Sequence, residues 1–141
     1  MKIYLDLNRT LVENIYPNLG RCNFGCMEVI KKLQDSGHDI FLNSECEKEE
    51  ILESALQMLN EYPYMFIQDR RFRDEFELKP IYKVKEKIQP SRWDWNEMKS
   101  TNIIFIDDNS FNIPLKPTCM TDGHMVDWDE LDKQFIEHKI Y

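Results

Sequence analysis

The apolar positions of this chain alternate between short continuous runs and stretches of helical spacing. "KIYLDL", residues 2–7, is a nearly unbroken apolar run carrying one acid, Asp6, towards its far end, and it reads as a buried strand. After a loop holding Pro17 and two glycines, Met27, Ile30 and Leu33 recur at helical spacing. Val29 widens that stripe, and Gly37 stands where helices commonly end. "HDIFLNS", residues 38–44, reads as a second strand. The spacing of Ile51, Leu52, Ala55, Leu56 and Leu59 predicts a second amphipathic helix over Lys48–Asn60. "YMFIQ", residues 64–68, reads as a short third strand. Residues 69–95 are charged and aromatic, with a helix expected near Tyr82–Ile88. "NIIFIDD", residues 102–108, is the clearest strand in the chain. A shorter strand is expected near Thr118–Thr121, ahead of a final helix. There Asp127 is spaced as an N-cap with Glu130 as its return acid, and Trp128, Leu131 and Phe135 form the buried stripe.

Strands that alternate with helices in this way build a parallel sheet covered on both faces, so the expected fold class is α/β. Residues 1–141 read as one domain, with no internal repeat, linker or low-complexity segment.

Composition narrows the classes further. A chain of 141 residues buries roughly two-thirds of its unfolded surface, enough for a core. Acids outnumber bases 26 to 18, and the net charge of −8 disfavours non-specific attraction to DNA or anionic membrane. No apolar run approaches the length of a membrane span, and the N-terminus lacks a signal-peptide pattern. The expected location is cytoplasmic, with no membrane partner. In that compartment Cys22, Cys26, Cys46 and Cys119 read as free thiols. Cys22 and Cys26 have the separation of half a zinc site, but Cys46, Cys119, His38, His124 and His138 do not complete a usual ligand pattern.

In parallel α/β sheets ligands bind beyond the carboxyl ends of the strands. The first strand ends in Asp6 and leads into Asn8 and Thr10; the second ends in Asn43 and Ser44. "NIIFIDD" ends in Asp107 and Asp108, with Asn109 and Asn112 beyond. Adjacent parallel strands would bring these carboxylates and a hydroxyl to one rim. Like charges that close repel unless a cation neutralises them, and an all-oxygen donor set suits Mg²⁺.

This constellation resembles the haloacid dehalogenase (HAD) superfamily, a family mostly of phosphatases with an aspartate nucleophile. The family's first motif, D-x-D-x-T-[LV], is matched by "DLNRTL" at Asp6, Thr10 and Leu11, and departs at Asn8. The second, an apolar strand ending in Ser or Thr, is matched at Ser44. The third, a lysine often followed by proline, is matched by Lys79-Pro80, with Lys83 in reserve. The fourth, an apolar strand ending in paired acids with a later Asn, is matched at Asp107, Asp108 and Asn112. All four occur in order over residues 3–113. The resemblance implies a Rossmann-like three-layer fold and a Mg²⁺-dependent phosphomonoesterase working through an aspartyl-phosphate. It implies Asp6 as nucleophile, with Asp6, the backbone carbonyl of Asn8, Asp107 and Asp108 around Mg²⁺. Ser44 and Lys79 would bind the phosphate.

Asn8 stands where the family's phosphatases carry the acid that protonates the leaving alkoxide and then deprotonates water. An amide does neither, and such a group typically contributes about 10²–10⁴-fold. Three explanations stand side by side: a homologue that works by binding, slow turnover with Glu13 or Asp108 substituting, or an engineered inactive variant. The dehalogenase branch also lacks this acid, but no feature points to a haloacid substrate. Ser44 has a structural alternative too, since "SECE" has the spacing of a helix capping box with Glu47. The expected partner is a phosphorylated substrate. The short segment after Thr10 is expected to leave the chain capless or nearly so, which suits a macromolecular phosphoester such as a nucleic-acid end or a phosphoprotein, or a cap supplied by another subunit. Arg70, Arg71 and Arg73, interleaved with Phe72 and Phe76, have the pattern of a nucleotide or single-strand contact, although Asp69, Asp74, Glu75 and Glu77 make a solvated face the commoner reading.

Overall fold

The computed structural model describes residues 1–15, 18–45, 48–61, 77–118 and 123–141. Its centre is a four-stranded, wholly parallel sheet in the order β5-β4-β1-β6. Here β1 is Lys2–Leu5, β4 is Asp39–Leu42, β5 is Tyr82–Lys83 and β6 is Ile103–Ile106. A hairpin of β2 (Val12–Ile15) and β3 (Asn18–Cys22) and a small pair of β7 (Leu115–Pro117) and β8 (His124–Val126) complete the strands described. The helices are α1 (Cys26–Asp35), α2 (Glu49–Asn60), α3 (Trp95–Thr101) and α4 (Trp128–Glu137). Among the described residues, no helix is long and apolar enough to cross a membrane.

The alternation of side chains along each strand separates two sheet faces. Ile3, Leu5, Leu42, Ile104 and Ile106 are fully buried on one. On the other, the aligned rings of Phe41, Tyr4 and Phe105 stack across three strands at 5.8 and 5.3 Å. Trp93 meets Phe105 edge-on.

Most expected elements form, with shifted limits. The first strand stops at Leu5, because Leu7 already belongs to a turn. The carbonyl of Leu7 accepts hydrogen bonds from the amides of Thr10, Leu11 and Val12 at 3.3, 2.9 and 3.2 Å. In α1 the stripe of Met27, Ile30 and Leu33 is buried as its spacing predicts, and Gly37 follows at φ +87°. The α4 cap also forms, Asp127 accepting from the Glu130 amide at 3.2 Å.

The helix expected near Tyr82–Ile88 does not form. That segment instead supplies the edge strand β5 and then bends at residues 85–86. Its lysines fall at 83, 85 and 87, a period of two, and a helix there would gather like charges between Pro80 and Pro90. The strand expected near Thr118–Thr121 lies almost wholly outside the described residues, as does "YMFIQ"; β7 at Leu115–Pro117 precedes it. The capping-box alternative for Ser44 fails, since α2 begins at Glu49 with Lys48 as its N-cap residue.

The turn after β1 is held from three sides. Arg9 adopts the left-handed conformation (φ 60°), its amide donating to Val12 and its carbonyl accepting from Val126, both at 2.8 Å. The Thr10 carbonyl accepts from Asn23 Nδ2 at 2.9 Å and Trp128 Nε1 at 2.8 Å. The same Asn23 amide donates to the Val126 carbonyl at 2.7 Å. Gly20 is required by the hairpin, because a Cβ there would lie 1.7 Å from the Glu13 carbonyl oxygen.

Asn23 is buried and its amide satisfies two carbonyls, so Asn23→Ala is expected to destabilise the protein by about 1–3 kcal/mol in urea titration. A change below a few tenths would mean that the turn is held by other contacts.

Candidate functional site

The parallel register brings the strand-end residues together. Leu5 of β1 is aligned with Leu42 of β4 and Ile106 of β6, so the next residues along, Asp6, Asn43 and Asp107, share one row. The Asp6 amide donates to Ile106 O at 2.9 Å and the Asn43 amide to Leu5 O at 2.7 Å, carrying the pairing one step past the strands.

Asp6 and Asp107 are buried and Asp108 is half-buried, and carboxylate oxygens of the three lie within 4.8 Å of one another. Lys87 enters this group from the bend after β5. Its ammonium lies 3.0 Å from Asp107 Oδ2 and 3.5 Å from Asp6 Oδ1, with only 9% of the side chain exposed. What places it there is Asn43, whose amide closes a two-way clamp on the next residue. Asn43 Nδ2 donates to Ile88 O at 2.7 Å, and the Ile88 amide donates to Asn43 Oδ1 at 2.8 Å. The far side of the acidic group is fixed by the Asn109 amide, donating to Asp107 Oδ1 at 2.9 Å.

Electrostatics follow from this crowding. Burial and the neighbouring Asp107 carboxylate push the Asp6 carboxyl up to about 7, with Lys87 pulling the other way. Burial and Asp107 likewise raise Asp108. Burial alone would lower the Lys87 ammonium, but Asp6 and Asp107 outweigh it and hold it above the ordinary lysine value. Three oxygen-donor carboxylates at this separation suit a hard divalent cation, and they are the residues that would hold one.

Of the residues marked out in the sequence, Asp6, Asp107 and Asp108 are brought together and Ser44 is buried one residue beyond Asn43. Asn8 lies in the turn directly after Asp6, its backbone bridged to Val12. Thr10 is fully buried, and its hydroxyl has no hydrogen-bond partner among the described residues. Lys79 is not part of the group. It is exposed and precedes β5, its backbone held by Gln34 of α1 at 2.7 and 3.0 Å. The register of β5 sets it level with residue 38, roughly five strand residues or about 16 Å from the row of Asp6. Lys83 lines an open cleft beside the carboxylates together with Ser44, Glu45, Leu52, Lys85 and Lys87. Asn112 serves the scaffold, donating to the Trp93 carbonyl at 2.6 Å. Glu13 is buried in the hairpin against Arg21, at 3.3 Å, and is not one of the clustered acids. The Arg70–Arg73 stretch lies outside the described residues.

Sequence reasoning did not single out Lys87, and it named Asn43 only as a strand-end residue without a role. The signal for Lys87 is the period-two lysine pattern, which marks a strand leaving the sheet at the functional rim.

No family model, curated protein or solved structure matches this chain.

A carboxyl raised from its ordinary value favours folding while protonated. That stabilisation is complete below about pH 4 and is lost as pH rises through about 7. In chelator, urea unfolding should therefore show stability falling between pH 4 and 7, by on the order of 4 kcal/mol. Asp6→Asn should flatten the slope, and millimolar Mg²⁺ should restore more stability at pH 7 than at pH 5, where protons compete for the same oxygens. Stability rising over that window would contradict the burial and crowding of Asp6.

Proposed function

We propose that this protein carries a Mg²⁺-dependent phosphomonoesterase site of the HAD type, with Asp6 as nucleophile and turnover limited by Asn8. The observation that carries this is the Lys87 ammonium set between Asp6 and Asp107 at the carboxyl end of a parallel sheet. Lys87, in place of Lys79, takes the lysine role of the family's third motif. The finer fold assignment, a Rossmann-like HAD domain, rests on the same sheet order together with the first, second and fourth motifs of the sequence.

In this scheme Asp6 attacks phosphorus in line with the leaving oxygen, and its carboxylate becomes an acyl phosphate. Lys87 neutralises Asp107, keeps Asp6 from repelling the incoming phosphate, and donates to a phosphoryl oxygen. Ser44, buried at the end of β4, donates its hydroxyl to another. Asp6, Asp107 and Asp108 would hold Mg²⁺, which when bound would supply further positive charge against the phosphoryl oxygens. Asn8 follows the nucleophile but has no proton to give an alkoxide and no basicity to activate water. A phosphorylated ligand is therefore bound and attacked more readily than it is released. The same Asn8 favours a second reading, in which the pocket binds a phosphorylated partner without turnover. Between Thr10 and α1 the described chain forms only a hairpin, which leaves room for a bulky phosphoester such as a nucleotide or a nucleic-acid end.

The test is Mg²⁺-dependent hydrolysis of p-nitrophenyl phosphate, whose leaving group departs unprotonated. Asn8→Asp should turn over about 10²–10⁴ times faster than the chain as it stands, which should release at most one equivalent. In the Asn8→Asp background, Lys87→Ala should lower the rate about 10²-fold or more, whereas Lys79→Ala should leave it essentially unchanged. Absence of reaction with Asn8→Asp, or loss on removing Lys79 rather than Lys87, would contradict the assignment.

A further inference from the structure

We propose that Cys22 and Cys26 form a redox-active dithiol which a small-molecule disulfide, of the oxidised glutathione class, converts to an intramolecular disulfide. The two thiols are free, and their sulfurs lie 3.2 Å apart. A disulfide bond is about 2.05 Å long, so closure needs a movement of only about 1 Å. The pair does not use Asp6, Lys87 or Asp107, and it stands independently of the phosphatase assignment.

The fold has prearranged this contact. Cys22 is the last residue of β3 and Cys26 the first of α1, and the turn between them is anchored on both sides. The Asn23 amide nitrogen donates to Leu11 O at 2.7 Å, and its side chain spans the Thr10 and Val126 carbonyls. Gly25 takes a left-handed conformation at φ +85°, where a Cβ would press on Asp129 Oδ1 at 3.2 Å and Trp128 Cβ at 3.3 Å. Two thiols on a turn fixed in this way meet at higher effective concentration than in a flexible chain.

Accessibility assigns different parts to the two sulfurs. Cys22 is half-buried and lines a shallow hollow with Glu13, Arg21, Phe24 and Lys116, so a reagent reaches it first. Cys26 is fully buried, and its hydrogen bond with Cys22, together with burial, pushes its thiol well above the usual range. Cys22 Sγ, as thiolate, attacks one sulfur of the reagent, breaking its S–S bond and releasing one thiol. Cys26 Sγ gives up its proton and attacks Cys22 Sγ. The mixed S–S bond breaks and the second thiol departs. The protein has then lost two protons and two electrons, and the reagent has gained both.

Trypsin cleavage after Arg21 and Lys31 leaves both cysteines in one peptide, residues 22–31. The folded chain is equilibrated across ratios of oxidised to reduced glutathione, quenched, alkylated and mapped by mass. The expected result is a 22–31 peptide lighter by two hydrogens and closed to alkylation. Its midpoint should lie at an oxidant ratio about tenfold lower than for the urea-unfolded chain. Cys26→Ser should stop at a stable glutathione adduct on Cys22. The proposal is overturned if both thiols alkylate in the oxidised folded protein, if the bond formed joins Cys46 or Cys119 instead, or if folded and unfolded midpoints coincide. These readings come from the unaltered chain and do not depend on a variant that folds.

Discussion

Three carboxylates held within 4.8 Å of one another, two of them buried and one half-buried, set the terms for the rest of this structure. At an effective dielectric near 20, two such charges repel by about 3 kcal/mol, so the fold must keep them together against their own electrostatics. Parallel pairing does this. With β1 between β4 and β6, the backbone ladder places the ends of the three strands side by side whatever charges they carry. The compensation is local: one lysine ammonium is delivered from the edge of the sheet and touches two of the acids. Asn43 connects the two halves, as a strand-end residue in the acidic row that clamps the backbone next to Lys87. Under the proposed function, this arrangement serves a site that meets a phosphate.

The turn after Asp6 is built for rigidity rather than for stability of its own. Arg9 in a left-handed conformation, a Thr10 carbonyl with two side-chain donors, and a hairpin that needs Gly20 all constrain residues 7–12. Asn8 therefore sits beside Asp6 in a constrained turn, and an acid at that position would meet the same backbone. On the proposed reading, the scaffold of the site and the chemistry of its turnover are separable: ionic and backbone features would support the first, and the side chain at residue 8 would govern the second.

Much of the rim was legible because buried strands are apolar, and an acid at the end of one stands out. Asp6 and Asp107-Asp108 were found on that signal, and the alternation of strands and helices predicted the parallel sheet that joins them. The lysine was not legible in the same way. Lys79 drew notice through Pro80, yet sheet register places it at the opposite rim, and register is a long-range property that local spacing does not carry. Lys87 was hidden in a charged run read as a helix, where tertiary pairing with β4 overrode the local expectation. Asn43 looked like an ordinary polar strand end, since its partner lies 45 residues away. The hairpin was missed because the loop with Pro17 and two glycines showed no clear alternation. Its necessity is visible only where the Glu13 carbonyl approaches Gly20.

The most direct test of the central claim is whether the Asp6 carboxylate accepts a phosphoryl group with Lys87 in attendance, a step that does not require an acid at residue 8. Beryllofluoride mimics a carboxyl-bound phosphoryl group and can be followed by ¹⁹F NMR with Mg²⁺ present. The account predicts bound fluorine resonances at one equivalent for the chain as it stands, lost in Asp6→Asn and weakened or lost in Lys87→Ala. No bound signal from the unaltered chain, or a signal that survives Asp6→Asn, would contradict it.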